Sequence, residues 1–242
     1  MHREYHRWYS PWLHRDMELL VLGHAGARVL VFPTRAGRFF DYENWGLAET
    51  LRPKLAGGEY QLFCVDSVDA ESFYAEHAAP ADRIRRHARY EEYLLHEVVP
   101  FTLSRNPDPR FVTHGCSMGA YHAVNFAFRH PHQVSKVIAL SGRYDLTTPV
   151  GDFRDLLDGY YDETVYYHTP SHFVPNLCDE HILGHLRLME VVLAVGEADP
   201  FAENNRCLSG ALWGRGVWHA LRLWPGRSHK PAAWTRMVRE YF

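Results

Sequence analysis

No stretch of this chain approaches the roughly 20 continuous apolar residues that a membrane-spanning helix needs. Its first residues, Met1-His2-Arg3-Glu4-Tyr5-His6-Arg7-Trp8, hold no apolar run of signal-peptide length. These absences predict a soluble, cytoplasmic protein with no membrane partner. Cysteine is scarce as well: Cys64, Cys116, Cys178 and Cys207 are widely scattered, which reads as free thiols and excludes a disulfide framework. A formal charge of −3 excludes a nucleic-acid partner held by phosphate contacts. The one local basic patch, Arg83, Arg85, Arg86 and Arg89, reads as a solvated helix face. Low-complexity segments and repeats at solenoid spacing are missing too, so disorder is expected only at the termini.

What the chain has is an ordinary globular composition and 242 residues, enough for one large domain with a full core. Short apolar runs recur at Leu19–Leu22, Val29–Phe32, Tyr60–Val65, Val137–Leu140 and Val191–Val195, as suits strands buried on both faces. Helical segments separate most of them. In Arg83 to Val99, for instance, Tyr90, Leu94 and Val98 repeat every four residues, and Pro100 is expected to stop the helix. Alternation of this kind implies an α/β fold: a mostly parallel sheet with helices on both faces. Strands near Tyr5–Tyr9 and Met17–Leu22 are too close in sequence for a crossover helix, so they are expected to form an antiparallel N-terminal edge. Segment 151–179, rich in tyrosine and histidine and broken by Pro170 and Pro175, reads as an insertion over the sheet edge, either a lid or pocket wall or a covering layer.

The chemistry centres on His114-Gly115-Cys116-Ser117-Met118-Gly119-Ala120. Gly-x-Ser-x-Gly follows the apolar run Arg110-Phe111-Val112-Thr113 and precedes an apolar-periodic segment expected to be helical from about Met118 to His130. A bare match arises by chance in about one chain in ten of this length, so the flanks carry the weight. Strand, sharp turn and helix make a nucleophile elbow, which lifts the serine above the sheet and leaves no room for side chains at the two glycines. Cys116, pointing away from the corner, reads as packing.

A serine hydroxyl needs an imidazole as base and a carboxylate to orient that imidazole. Both follow in the order Ser, acid, His. Val191–Val195 leads into Gly196-Glu197-Ala198-Asp199-Pro200, and Val217–Trp224 into Pro225-Gly226-Arg227-Ser228-His229. Asp199 is the candidate acid, with Glu197 and Asp145 as alternatives, and a helix cap before Pro200 is its non-catalytic reading. His229 is the candidate base among 17 histidines, chosen for its place on a loop after a strand. The oxyanion of a tetrahedral intermediate needs two donors; the Met118 amide is one, and the loop Pro33-Thr34-Arg35-Ala36-Gly37 offers the Arg35 amide, or else that of Thr34. Cys178-x-x-His181-x-x-x-His185 has spacing that zinc could use but lacks the glutamate of a His-Glu-x-x-His motif, since Ile182 follows His181. No metal and no cofactor is therefore expected.

These residues resemble the putative-esterase family of α/β-hydrolases, which includes esterase D or S-formylglutathione hydrolase, feruloyl and enterochelin esterases and the mycolyltransferases. Gly115 to Ala123 resembles that family's elbow, Ala139-Leu140-Ser141-Gly142 its next strand and turn, Gly196 to Asp199 its acid loop, and His229 with Trp234 its histidine and following tryptophan. The likeness runs from Arg15-Asp16-Met17 to the last helix. It implies an α/β-hydrolase fold in which Ser117, Asp199 and His229 act as nucleophile, acid and base, with amides near Arg35 and Met118 as oxyanion hole. The chain departs from the family at Lys230-Pro231, where an acidic residue and an aromatic often stand, and a cation there would weaken the base by like-charge repulsion. The expected activity is hydrolysis of a small-molecule carboxylic ester or thioester through an acyl-enzyme, in a monomer or a homo-oligomer. Acyl transfer on the same residues, and a retired member that only binds, are the alternatives.

Overall fold

The computed structural model describes residues 1–242. Its centre is one sheet of eight strands, β1 (Arg3–Ser10), β2 (Arg15–Leu22), β3 (Ala27–Phe32), β4 (Tyr60–Val65), β5 (Phe111–Cys116), β6 (Lys136–Leu140), β7 (Glu190–Gly196) and β8 (Ala220–Trp224), in the order β1-β2-β4-β3-β5-β6-β7-β8. β1 pairs antiparallel with β2, and β2 antiparallel with β4; every later pairing is parallel. This is the α/β sheet with an antiparallel edge that the sequence implies. The last strand is shorter than its apolar run suggests and begins at Ala220 rather than Val217.

Alternating side chains of the strands feed two cores. Leu19, Val21, Leu30, Phe32, Val137, Ala139, Val191 and Leu193 face one side. There they meet helices α4 (Pro80–Tyr93), α6 (Met118–Arg129), α9 (Glu180–Leu188) and α10 (Ala202–Gly214). Leu20, Leu22, Val29, Val31, Ile138, Leu140 and Ala194 face the other side, under α1 (Asp41–Asn44), α2 (Leu47–Thr50), α3 (Arg52–Ala56) and α11 (Pro231–Tyr241). Period-two burial on both faces is what a sheet covered by helices on each side requires.

Two expectations fail. Pro100 does not stop the helix: after α4 the chain widens into a π turn over Leu94–Val98 and continues as α5 (Val99–Arg105). Pro100 is the second residue of α5 and follows directly on the π turn, whose closing bond runs from the Val99 amide back to the Leu94 carbonyl. The basic patch is not a uniformly solvated face either. Arg83 is 3% exposed and binds the Asp158 carboxylate at 2.7 Å, while its Nε and Nη2 donate to the Ala78 and Glu76 carbonyls. Arg86 pairs with Glu71. A buried guanidinium is tolerated because each donor finds an acceptor.

Segment 151–179 contains the short helices α7 (Glu163–Tyr167) and α8 (Pro170–Phe173), packed against α4, α6 and α10. Leu156, Leu157 and Val165 join Phe73, Ile84, Met118 and Tyr121 in a third, smaller apolar cluster at the start of α6. The elbow helix is thus braced by the segment that Arg83 anchors. All four cysteines are unpaired.

Candidate active site

The carboxyl ends of five strands converge on one cavity. Thr34 and Arg35 follow β3, Ser117 and Met118 follow β5, Arg143 lies three residues past β6, and Phe201 and His229 follow β7 and β8. Tyr74, Phe153 and Trp234 complete the wall of a space of about 280 Å³. Ligands collect at such ends because the loops there vary without disturbing the sheet.

Ser117 sits at the corner between β5 and α6 with φ 56° and ψ −119°, a region costly for any residue with a side chain. The corner is held by the Ser117 amide donating to the Leu140 carbonyl at 2.8 Å. Its flanking glycines are needed for space: a Cβ on Gly119 would lie 2.6 Å from the Pro33 carbonyl oxygen and nearer still to that of Phe32. The thin first turn of α6 therefore presses against the end of β3, bringing the Thr34–Arg35 loop beside Ser117. Cys116 is buried in the opposite core, and burial pushes its thiol pKa up, so it stays a protonated packing group.

Ser117, His229 and Asp199 form a hydrogen-bonded row. The Asp199 Oδ2 lies 2.8 Å from His229 Nδ1, and His229 Nε2 lies 3.0 Å from Ser117 Oγ. With Nδ1–H donating to the carboxylate, Nε2 is left to accept from the serine hydroxyl. Asp199 is 4% exposed, and its other oxygen accepts the Phe201 amide at 2.9 Å. One carboxylate therefore both orients His229 and closes the turn into α10, whose N-cap is Phe201 and carries no side-chain cap, so the helix-cap reading of Asp199 does not hold. Backbone bonds stitch the two loops together, Glu197 N to Trp224 O at 2.8 Å and Ala198 N to Gly226 O at 3.0 Å.

The alternative acids lie elsewhere. Glu197 is exposed, and the Asp145 carboxylate is occupied by Thr147 and Thr148, with His172 at 3.5 Å. Trp234 packs edge-on to His229 with ring centroids 5.3 Å apart, and its Nε1–H donates to Ser141 Oγ at 3.2 Å. Phe201 flanks the imidazole at 5.9 Å. Lys230, the departure from the family pattern, is exposed and stands at the N-terminus of α11, its carbonyl accepting the Ala233 and Trp234 amides.

The Met118 amide donates to no protein atom, and neither do those of Thr34 and Arg35, so none of the three is committed to an acceptor. The Thr34–Gly37 turn is fixed from behind: Gly37 N donates to Thr34 O at 2.8 Å, and Ala36 N to Asp69 Oδ2 at 3.3 Å. Such donors are useful because they are oriented before charge develops. No three His, Cys, Asp or Glu side chains gather as a metal cage, and Cys178 is exposed beside a neighbouring carbonyl while His181 and His185 face each other.

A family model described as Putative esterase matches residues 42–239. The chain belongs to this esterase family. Similar solved structures include a ferulic acid esterase, at TM-score 0.79 and 17% identity over 99% of this chain and 96% of that one. An S-formylglutathione hydrolase from Agrobacterium tumefaciens gives 0.76 and 15% over 99% and 92%. A fluorophosphonate-binding serine hydrolase from Staphylococcus aureus gives 0.72 and 15% over 99% and 96%. At these identities the likeness establishes the α/β-hydrolase fold. No curated protein sequence matches the chain. Family membership makes it a carboxylic ester hydrolase by class, acting on small-molecule esters. No helix is long and apolar enough to cross a membrane.

Four wall residues of this esterase escape motif reading: Tyr74, Arg143, Phe153 and Phe201. For Arg143 a signal existed, since it follows Ser141-Gly142 directly past the carboxyl end of β6. Burial pushes the Tyr74 hydroxyl pKa up to about 12, keeping it a hydrogen-bond donor at neutral pH. Phe153 is the one cavity residue drawn from segment 151–179; the tyrosines at 160, 161, 166 and 167 lie outside this wall.

Proposed function

We propose that this member of the family is a serine esterase that cleaves a carboxylic ester or thioester through an acyl-enzyme, with Ser117, His229 and Asp199 as nucleophile, base and acid. The observation that carries the reading is the row Ser117 Oγ–His229 Nε2–His229 Nδ1–Asp199 Oδ2, with links of 3.0 and 2.8 Å, ending in a cavity beside open amides. Ser117 Oγ attacks the carbonyl carbon while its proton passes to His229 Nε2. Asp199 stabilises the imidazolium that forms without taking its proton. The carbonyl oxygen becomes an oxyanion, held by the Met118 amide and by that of Arg35.

Collapse breaks the bond to the leaving oxygen or sulfur, which takes the proton from His229. Water then attacks the acyl-Ser117 carbonyl, giving its proton to His229, and the second collapse returns that proton to Ser117 Oγ and frees the acid. No cofactor enters the cycle. The chain acts as one domain, in which segment 151–179 narrows the site through Phe153 and buttresses α6. Hydrolysis of short p-nitrophenyl esters by the wild type, abolished in Ser117→Ala of unchanged melting temperature, supports this reading. An equal rate in that variant would refute it.

A further inference from the structure

Arg143 is a buried arginine, 4% exposed, with no carboxylate oxygen within 4 Å of its guanidinium. Carbonyls hold it instead. Nε donates to Asp145 O at 2.9 Å, and Nη2 to Thr148 O at 2.9 Å and Arg154 O at 2.8 Å. The two carboxylates that act on it through space are turned to other partners, Asp145 to Thr147 and Thr148, and Asp155 to the Leu157 and Gly159 amides. Nη1 is left over. It donates to no protein atom and is not sealed from solvent, and Arg143 lines the cavity with Ser117, its Cζ 6.0 Å from the ring centroid of the wall residue Phe201.

A buried cation without a counter-ion carries a desolvation cost that a pure structural clamp would not need. The three engaged donors suffice to tie a loop, and a neutral side chain could supply some of them. The same wall carries a second cation: Arg35 is exposed, has no ion-pair partner, and lies with Cζ 5.6 Å from the Tyr74 ring centroid. No acidic side chain lines the cavity, Asp199 being behind His229. From this we infer that the substrate is an ester or thioester bearing an anionic group, a carboxylate or its equivalent, which the open Nη1 edge of Arg143 binds, with Arg35 adding charge at the rim. The inference rests on Ser117 being the nucleophile, and it adds a substrate class to that reading.

The test compares matched charged and neutral esters on the wild-type protein. One pair, the mono-p-nitrophenyl ester of adipic acid and its adipamic counterpart, carries the charge on the acyl side. The other, 4-acetoxyphenylacetate and its amide, carries it on the leaving group. A charge-assisted contact in a desolvated site predicts kcat/KM at least about tenfold higher for the anion in one pair, and the pair that responds tells which side faces Arg143. The preference should shrink in high salt and fall to about one in Arg143→Gln.

Where that variant does not fold, free adipate inhibiting the wild type competitively, at concentrations where adipamide does not, supports the site, and equal inhibition by both counts against it. A ratio near one in both pairs, on a wild type that turns over the neutral esters through Ser117, overturns the anion site alone. A preference that persists in folded Arg143→Gln overturns the assignment to Arg143. Failure of all four esters overturns the esterase reading and the inference with it.

Discussion

Gly196, the last residue of β7, lies so close to Arg227 that a Cβ on it would overlap the Arg227 carbonyl. The loop bearing Asp199 and the loop bearing His229 are pressed together at this point, and the backbone bonds from Glu197 and Ala198 keep them in register. Gly196→Ala must push them apart. The expected result is a loss of about 1–3 kcal/mol in stability and a turnover lower by about a hundredfold, as for a reacting group displaced by an ångström. Thermal melts and kcat on one p-nitrophenyl ester check both. Wild-type turnover would mean that the loops do not set the Asp199–His229 geometry.

Asp199→Asn separates the two jobs of that side chain. An amide oxygen can still accept the Phe201 N–H, so the turn into α10 survives and the melting temperature should move by little. Toward His229 the carboxamide cannot stabilise an imidazolium and favours the wrong tautomer, so kcat should fall by about 10⁴. A large drop in stability with modest loss of turnover would reverse the assignment and leave Asp199 as a turn residue.

The carboxylate of Asp69 connects the elbow helix to the Thr34–Gly37 turn. One oxygen sits 2.9 Å from His122 Nε2 on α6, and the other accepts the Ala36 amide next to Arg35, with both side chains almost wholly buried. On the proposed mechanism Asp69 is a positioning residue for the Arg35 amide. Asp69→Asn keeps the volume but unbalances the pair with His122; kcat should fall about ten- to hundredfold, within the range for a misplaced donor, with KM nearly constant. A change confined to KM, or to melting temperature, would contradict the role.

Three histidines are buried as neutral rings. Burial lowers the pKa of His114 to about 4 and that of His168 to about 4, and holds His87 well below its ordinary value. His114 donates Nδ1–H to the Ile138 carbonyl at 2.7 Å, while its Nε2 has no partner to share a proton with. In the unfolded chain each ring titrates near 6.5, so between about pH 6.5 and 4 the unfolded state binds more protons. Stability is therefore full above that window and falls as the pH drops through it, by about 1.4 kcal/mol per unit for each ring that stays neutral. Urea unfolding at pH 7.5, 6 and 5 measures this; a midpoint that stays level or rises on acidification would contradict it.

Much of the fold and the hydrogen-bonded row could be read from the chain because the signals are contiguous. Gly115 to Gly119 spells the elbow within five residues, and Asp199 and His229 each follow an apolar strand in the order the elbow demands. What escaped depends on partners far away in sequence. Arg83 reads as a surface charge until Asp158, 75 residues on, is brought to it. Pro100 reads as a stop because nothing local announces the π turn that carries the chain past it. Tyr74 belongs to no motif and Arg143 only adjoins one; the fold brings both to the cavity wall beside Ser117.

The central claim is that Ser117 Oγ is a nucleophile activated by His229. Incubation of the folded protein with a fluorophosphonate, followed by peptide mass spectrometry, tests it most directly. The account predicts one adduct, on Ser117, forming far faster than on an unactivated serine, absent in Ser117→Ala and strongly slowed in His229→Ala. A folded protein that remains unlabelled, or one labelled equally at other serines, would contradict it.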